Sequence, residues 1–285
     1  MDSRKVWFIT GASKGLGLSL VKQVLQQGYQ VAATSRSTDD LIKAVGKSDA
    51  HFLPLAVDLT SEASVGQAIE QTIAQFGRID VVINNAGYGQ LGSLEELTDQ
   101  EARENFDVNV FGSLNVIRKA MPYLREQRSG HIFNISSIGG FTGNSPGWGI
   151  YCATKFAVVG FSESLAAEAK AFGIHVTIVE PGYFRTSFLS SGSIGLPKKE
   201  IEAYKAVRES QSMHQQQING NQMGDPEKAV AVLIRIASEQ NPPLHLFLGQ
   251  DAYDMAYTKI AAVQQDMEAW KELSTATAFE KEVSA

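Results

Sequence analysis

Two side chains in the middle of the sequence have types and a spacing suited to proton transfer. Tyr151 and Lys155, within Tyr-Cys-Ala-Thr-Lys, stand four residues apart, so on a helix they share one face. A phenol ionises at about pH 10 and by itself is a poor acid–base catalyst at neutral pH. An adjacent ammonium stabilises the phenolate and lowers that value, moving the phenol toward general acid–base work. Alone, such a pair is most often an ordinary surface pair, so its company matters. Upstream, Asn134–Gly140 (NISSIGG) closes a β-rich run, and its Ser137 has a hydroxyl that can donate to a carbonyl oxygen. Ser136 beside it points the other way if the run is a strand. Asn84–Gly87 (NNAG) and Pro181-Gly182 end two further apolar runs.

A second constellation lies near the start. Thr10–Gly17 (TGASKGLG) follows an apolar run and precedes an amphipathic one. A glycine turn between strand and helix lets backbone N–H groups approach a pyrophosphate, which the helix N-terminus also favours. The spacing Gly11-x-x-x-Gly15-x-Gly17 departs from the commoner G-x-G-x-x-G, and a tight connection is the bland alternative. The next strand ends in Thr34-Ser35-Arg36, with a base where binders of a free ribose carry an acid. Lys14 inside the turn is a second cation. Together they favour the 2′-phosphate of NADPH over NADH.

These groups need a scaffold that gathers strand ends. Lys5–Thr10, Gln30–Ser35, His51–Val57, Ile79–Asn84, His131–Ser136 and His175–Val179 read as strands. Leu16–Gln27, Ser61–Gln75, Gln100–Arg125 and Tyr151–Phe172 read as helices. Continuous apolar strands alternating with helices predict an α/β fold, a single Rossmann-type doubly wound parallel sheet flanked by helices. Glu200–Gln217 is helical in pattern, and Ile218–Gly224 is polar and poorly patterned. Asp225-Pro226-Glu227 restarts a helix with Asp as N-cap, Leu244–Leu248 forms a last strand, and Asp251–Leu273 a last helix, with fraying from Ser274. Residues 1–285 thus read as one domain, with residues 190–224 as a mobile helical substrate flap and 251–285 as a C-terminal helical extension.

Composition narrows the partners. Lys and Arg number 25 against 31 Asp and Glu, a formal charge of −6, which argues against nucleic acid or an anionic membrane. Cys152 is the one cysteine, which excludes a disulfide framework and fits a reducing compartment. Beside Tyr151 it reads as a buried, inert thiol. No run approaches the roughly 18 apolar residues of a spanning helix, and Val6–Ile9 is too short for a signal peptide, so the expected location is cytoplasmic. The five histidines show no metal-ligand spacing and read as structural or surface residues.

Taken in order, Thr10–Gly17, Asn84–Gly87, Asn109, Ser137, Tyr151/Lys155 and Pro181–Thr186 (PGYFRT) resemble the short-chain dehydrogenase/reductase family over roughly residues 4–190. The resemblance implies an oxidoreductase that interconverts a ketone or aldehyde and an alcohol by hydride transfer. It makes Tyr151 the acid–base, Lys155 its modulator and ribose ligand, Ser137 the group orienting the substrate oxygen, and Asn109 the support of a water-linked proton relay. It assigns Gly11, Ser13, Lys14, Gly15, Leu16 and Gly17 to the pyrophosphate turn and Asp58 and Leu59 to the adenine. Asn85, Ala86 and Gly87 fall to the adenosine ribose, and Pro181, Gly182, Phe184 and Thr186 to the nicotinamide carboxamide. Lys14 and Arg36 match NADP-preferring members. The C-terminal region, with Pro242–Tyr253 (PPLHLFLGQDAY), resembles the branch of 17β-hydroxysteroid dehydrogenase-like and retinol dehydrogenase-like enzymes. The loop from Ser137 to Tyr151 is one residue longer than in many members. Phe141, Trp148, Tyr88, Phe184 and Phe188 are candidates for an apolar wall against a hydrophobic substrate. Relatives pair through the helices matching Gln100–Arg125 and Tyr151–Phe172, which implies a homodimer or homotetramer. A non-catalytic NADPH-binding redox sensor, or an epimerase or dehydratase on the same fold, are the competing readings.

Overall fold

Apolar runs become interior strands here because helices cover both faces of the sheet they form. The computed structural model describes residues 5–46, 49–190 and 192–279. Ser191 of the expected flap and residues 280–285 of the expected extension lie outside the described residues. The chain runs β1 (Val6–Ile9), α1 (Gly15–Gln26), β2 (Gln30–Ser35), α2 (Thr38–Val45), β3 (Phe52–Ala56), α3 (Glu62–Phe76), β4 (Val81–Asn84) and β5 (Gly89–Gln90). It continues through α4 (Asp99–Phe106), a π-helical stretch (Asp107–Phe111), α5 (Gly112–Gln127), β6 (Gly130–Ile135), α6 (Gly149–Ala169) and β7 (Ile174–Pro181). Last come β8 (Ile194–Gly195), α7 (Lys205–Ser212), a second π-helical stretch (Met213–Ile218), α8 (Pro226–Ile236), β9 (His245–Leu248) and α9 (Gln250–Thr275).

Seven strands pair in parallel in the order β3-β2-β1-β4-β6-β7-β9. Alternation splits β1 between two cores: Trp7 and Ile9 pack with α1 and α8 (Leu20, Val24, Val230, Leu233), while Phe8 packs with α3 and α5 (Ile69, Val116, Leu124). The order reverses between β1 and β4, so the loops leaving their C-terminal ends diverge and open a crevice. That is the expected doubly wound sheet.

Side-chain caps mark some of the helix starts. Ser61 caps α3, Thr98 and Glu101 form a reciprocal capping box on α4, and Asp225 caps α8 with Pro226 in its first turn. Four elements differ from the sequence expectation. Gln100–Arg125 is not one α-helix: α4 passes through the π-helical stretch before α5, which widens one turn around Asn109. α2 was not expected, although Ser37 caps it and Leu41 and Val45 anchor it four residues apart. The flap is not wholly helical: β8 pairs in parallel with β5 (Gly89 with Ile194, Gln90 with Gly195), and its helix starts at Lys205, not Glu200. α9 extends to Thr275, past the expected start of fraying.

Candidate active site

Turn geometry builds one end of the crevice. Gly11 has φ +64°, and a Cβ there would stand 2.7 Å from the Cα of Ala86. The turn therefore presses against the exit of β4. Asn85 stitches the two together: its Nδ2 donates to the carbonyls of Thr10 and Gly11 at 2.9 and 3.1 Å. The Thr10 hydroxyl donates to the Ile83 carbonyl and accepts from the N–H groups of Asn85 and Ala86. α1 begins without a side-chain cap and with no acid in its first turn, leaving N–H donors for an anion.

A cavity of about 1000 Å³ runs from this turn to the start of α6. Of the predicted site residues, Gly11, Ser13, Lys14, Gly15, Leu16, Arg36, Asp58, Leu59, Asn85, Ala86 and Gly87 line its first part. Ser137, Tyr151, Lys155, Pro181, Gly182, Phe184 and Thr186 line the remainder. Gly17 and Asn109 do not. Gly17 is buried behind the turn, where a Cβ would lie 2.5 Å from the Gly11 carbonyl oxygen, so its role is close packing. Asn109 is also buried behind the wall; its side chain accepts from the Tyr88 N–H and donates to the Tyr88 carbonyl, both at 3.0 Å, and to the Thr154 hydroxyl.

Uncapped N–H groups, glycines that admit close approach, and cations at Lys14 and Arg36 suit a dinucleotide phosphate chain. Arg36 is exposed at the rim. Lys14 reaches over to the flap, donating to the Ser193 hydroxyl at 2.6 Å and the Gly192 carbonyl at 3.1 Å. The Asp58 carboxylate accepts from the backbone and hydroxyl of Thr60, which fixes the loop after β3.

At the other end, α6 presents Tyr151 and Lys155 toward the exit of β6. Ser136 turns inward and donates to the Lys155 carbonyl, while Ser137 turns to the cavity and accepts from the Gly139 N–H, as alternation required. Lys155 Nζ donates to the Ile135 carbonyl at 2.8 Å and lies 5.8 Å from the Tyr151 ring centre. Gly87 is the meeting point: a Cβ there would stand 3.0 Å from Asn109 Oδ1 and 3.6 Å from Lys155 Nζ.

Burial sets the electrostatics. It pushes the Tyr151 phenol above its usual range, opposed by a hydrogen bond with Ser137. It lowers Lys155 to about 8 and raises the Cys152 thiol to about 11. The sequence expectation was a phenol lowered by its ammonium neighbour. In the free protein desolvation wins instead, because both groups are out of water and the ammonium is turned to a backbone carbonyl.

Beyond Tyr151 the cavity wall is mostly apolar: Trp148, Cys152, Phe188, Leu189 and Ile194. Tyr88 and Phe184 line it too, but Phe141 does not; it packs edge-on against Phe247, 5.2 Å away, beside α9. Tyr183 and His214, which the sequence did not mark as site residues, also line this part. The PGYFRT motif signalled the first; nothing local signalled the second. The flap is fastened by Glu96, whose carboxylate pairs with Arg208 at 2.8 Å and accepts from the Ser93 and Ile201 N–H groups.

This parallel sheet, with the Tyr151–Lys155 pair and the glycine turn at one crevice, is the architecture of a dinucleotide-dependent oxidoreductase, and comparison with known proteins agrees. The profile of the family described as short chain dehydrogenase matches residues 5–193. An oxidoreductase, BOA17, of Botryotinia fuckeliana is 38% identical over 96% of this chain and 99% of its own. A 3-ketodihydrosphingosine reductase of Bacteroides thetaiotaomicron is 39% identical over 86% of this chain and 88% of its own. The crystal structure of a short-chain dehydrogenase from Streptomyces avermitilis superposes with a TM-score of 0.88 at 36% identity, covering 97% of this chain and 99% of that one. More distant structures hold either cofactor. A 3-ketoacyl-(acyl-carrier-protein) reductase from Brucella melitensis is complexed with NADH (26% identity, TM-score 0.71, 86% of this chain and 96% of that one). ElxO has NADP bound (25% identity, TM-score 0.70, the same coverages). The chain belongs to the short-chain dehydrogenase family.

Proposed function

We propose that this chain is an NADPH-dependent carbonyl reductase or alcohol dehydrogenase, with Tyr151 as proton donor in reduction and acceptor in oxidation. The observation that carries the reading is the convergence of the Ser137 and Tyr151 hydroxyls, with buried Lys155, on the cavity that begins at the glycine turn. A bound nicotinamide supplies the hydride. The substrate oxygen is held between the two hydroxyls, with Ser137 orienting it. Tyr151 keeps its proton at neutral pH, since burial raises its pKa, and passes it to the developing alkoxide. Lys155, beside Gly87, holds the nicotinamide ribose and stabilises the phenolate left behind. Asn109 shapes the wall at the same point and supports resupply of the proton through water.

Lys14 and Arg36 favour NADPH, because the end of β2 carries a cation in place of the acid that binds a free ribose, with a second cation in the glycine turn. The apolar wall favours a hydrophobic carbonyl substrate. We place the chain in the 17β-hydroxysteroid and retinol dehydrogenase-like branch on its C-terminal region; a retinol dehydrogenase 8 of Bos taurus is among its relatives, 31% identical over 85% of this chain. No helix among the described residues is long and apolar enough to cross a membrane. A cytoplasmic homodimer or homotetramer is the proposed state.

The test is oxidation of NADPH and NADH, followed at 340 nm, against a panel of ketones and aldehydes. Selective NADPH turnover that disappears in Tyr151→Phe while NADPH still binds is the expected result. Tight NADPH binding without turnover of any carbonyl would replace the reductase with a non-catalytic sensor.

A further inference from the structure

One hydrogen-bonded pair interrupts the apolar outer wall, and proton transfer at Tyr151 does not use it. Tyr183 leaves β7 just after Gly182, and His214 stands on the π-helical stretch that follows α7. The Tyr183 hydroxyl and His214 Nε2 are 2.9 Å apart. On its other side, His214 Nδ1 lies 2.7 Å from the Ser210 carbonyl oxygen. A carbonyl can only accept, so the ring proton sits on Nδ1 and Nε2 carries a lone pair. Burial lowers the His214 pKa, which keeps the ring neutral. The Tyr183 hydroxyl must then donate to Nε2. Its single proton is committed, and its oxygen remains only as an acceptor.

The pair lines the same cavity as Tyr151, and Trp148 packs against both: its indole is 5.5 Å from the Tyr151 ring and 4.9 Å from the His214 imidazole, centre to centre. Cys152, Phe188, Leu189 and Ile194 provide the apolar surroundings. A fixed acceptor in such a wall penalises a ligand that strips its water and offers nothing in return, and rewards one that brings a donor.

We propose that Tyr183 is a specificity-determining residue whose oxygen accepts a hydrogen bond from the substrate, with His214 as the residue that positions it. The preferred substrates are then apolar-chain ketones carrying a hydroxyl or amino group within a few bonds of the carbonyl. This rests on the reductase reading above and narrows its substrate class.

The experiment compares three ketones of one chain length under NADPH: the plain ketone, the ketone with a hydroxyl two carbons from the carbonyl, and the methyl ether of that hydroxyl. Wild-type kcat/KM is expected to favour the hydroxy ketone over both others by roughly tenfold, mainly through KM. The ether keeps the oxygen but cannot donate, so it isolates the donor. In Tyr183→Phe the preference falls to within roughly twofold. His214→Leu lowers it as well, and His214→Gln, whose amide oxygen can accept from Tyr183, restores most of it. A wild-type ratio near one, or a preference that survives Tyr183→Phe, overturns the assignment and leaves the reductase standing. Failure to turn over any carbonyl overturns the reductase reading itself.

Discussion

Lys155 is charged in the unfolded chain up to its ordinary value of 10.5, but in the fold only to about 8. Between those values the unfolded chain binds the extra proton, so this site's contribution to stability rises with pH across the window and is lost as pH falls through about 8. Lys155→Met has no such group. Its thermal midpoint relative to wild type should therefore be highest at pH 7 and below, and the gap should shrink steadily towards pH 10; a gap that does not change with pH would contradict the burial argument. At the cavity's other end Arg36 is exposed and positioned for a charge-assisted contact. Arg36→Ser should weaken NADPH binding by roughly tenfold or more and leave NADH within about twofold. Nucleotide fluorescence titration of both cofactors measures this, and equal losses for the two would remove the 2′-phosphate argument. Both residues were legible before folding: Lys155 through its spacing from Tyr151, Arg36 through its place at a strand end. What could not be read was the net electrostatics, since desolvation depends on atoms that the fold brings from β4, β6 and α6 together.

Three carboxylates hold the segment after β8: Glu101 accepts from the Lys198 N–H, Glu95 from the Tyr204 hydroxyl, and Glu96 from the Ile201 N–H. Burial opposes ionisation of Glu96, but N–H donation from Ile201 and Ser93 and the Arg208 guanidinium outweigh it, and its pKa is lowered. That stabilisation is present above the ordinary carboxylate range and fades as pH falls through the lowered value. Glu96→Ala would leave Arg208 with only Glu200 and Gln211 and would strand the Ser93 and Ile201 N–H groups, a loss of about 2 kcal/mol concentrated in the segment from Lys198 to Ser212. Hydrogen exchange should speed up there while the strands of the main sheet keep their protection; uniform acceleration would mean that Glu96 serves the whole fold. Legibility differed between elements for a physical reason. β1, β4 and β6 are fully or largely buried strands, so their apolar runs announced them. The π-helical stretch that carries Asn109 has no periodicity of its own over Asp107–Phe111, so it vanished into a long helical pattern. The two-residue strands β5 and β8 are too short to show alternation. The contact between Tyr183 and His214 joins positions 31 apart through a loop whose path no local pattern sets.

On the whole molecule, two sets of exposed apolar side chains bear on assembly. Phe111, at the end of the first π-helical stretch, is 51% exposed, and Phe156 on α6 is 43% exposed; the helices that carry them are those on which the family resemblance puts subunit pairing. The second set is on α9. Ala252 and Ala256 pack on Ile138, but from Tyr257 onward every described residue is exposed, and Ile260, Val263, Met267 and Trp270 recur at heptad spacing. Apolar stripes of this kind are costly to leave in water and mark surfaces used for association. Light scattering on the intact protein should give two or four times the chain mass. Phe111→Glu combined with Phe156→Glu places charges on the helices inferred to pair, where an apolar interface core is required, and should lower the mass to that of a smaller species. Removing residues 261–285 leaves Ala252, Ala256 and the cavity intact, so the truncated chain should keep its turnover and its thermal midpoint. Together the two variants separate the surfaces. If the paired glutamates dissociate the oligomer and the truncation does not, the α5/α6 face is the subunit interface. Dissociation by the truncation alone moves the interface to α9 and removes the helix pairing inferred from the family.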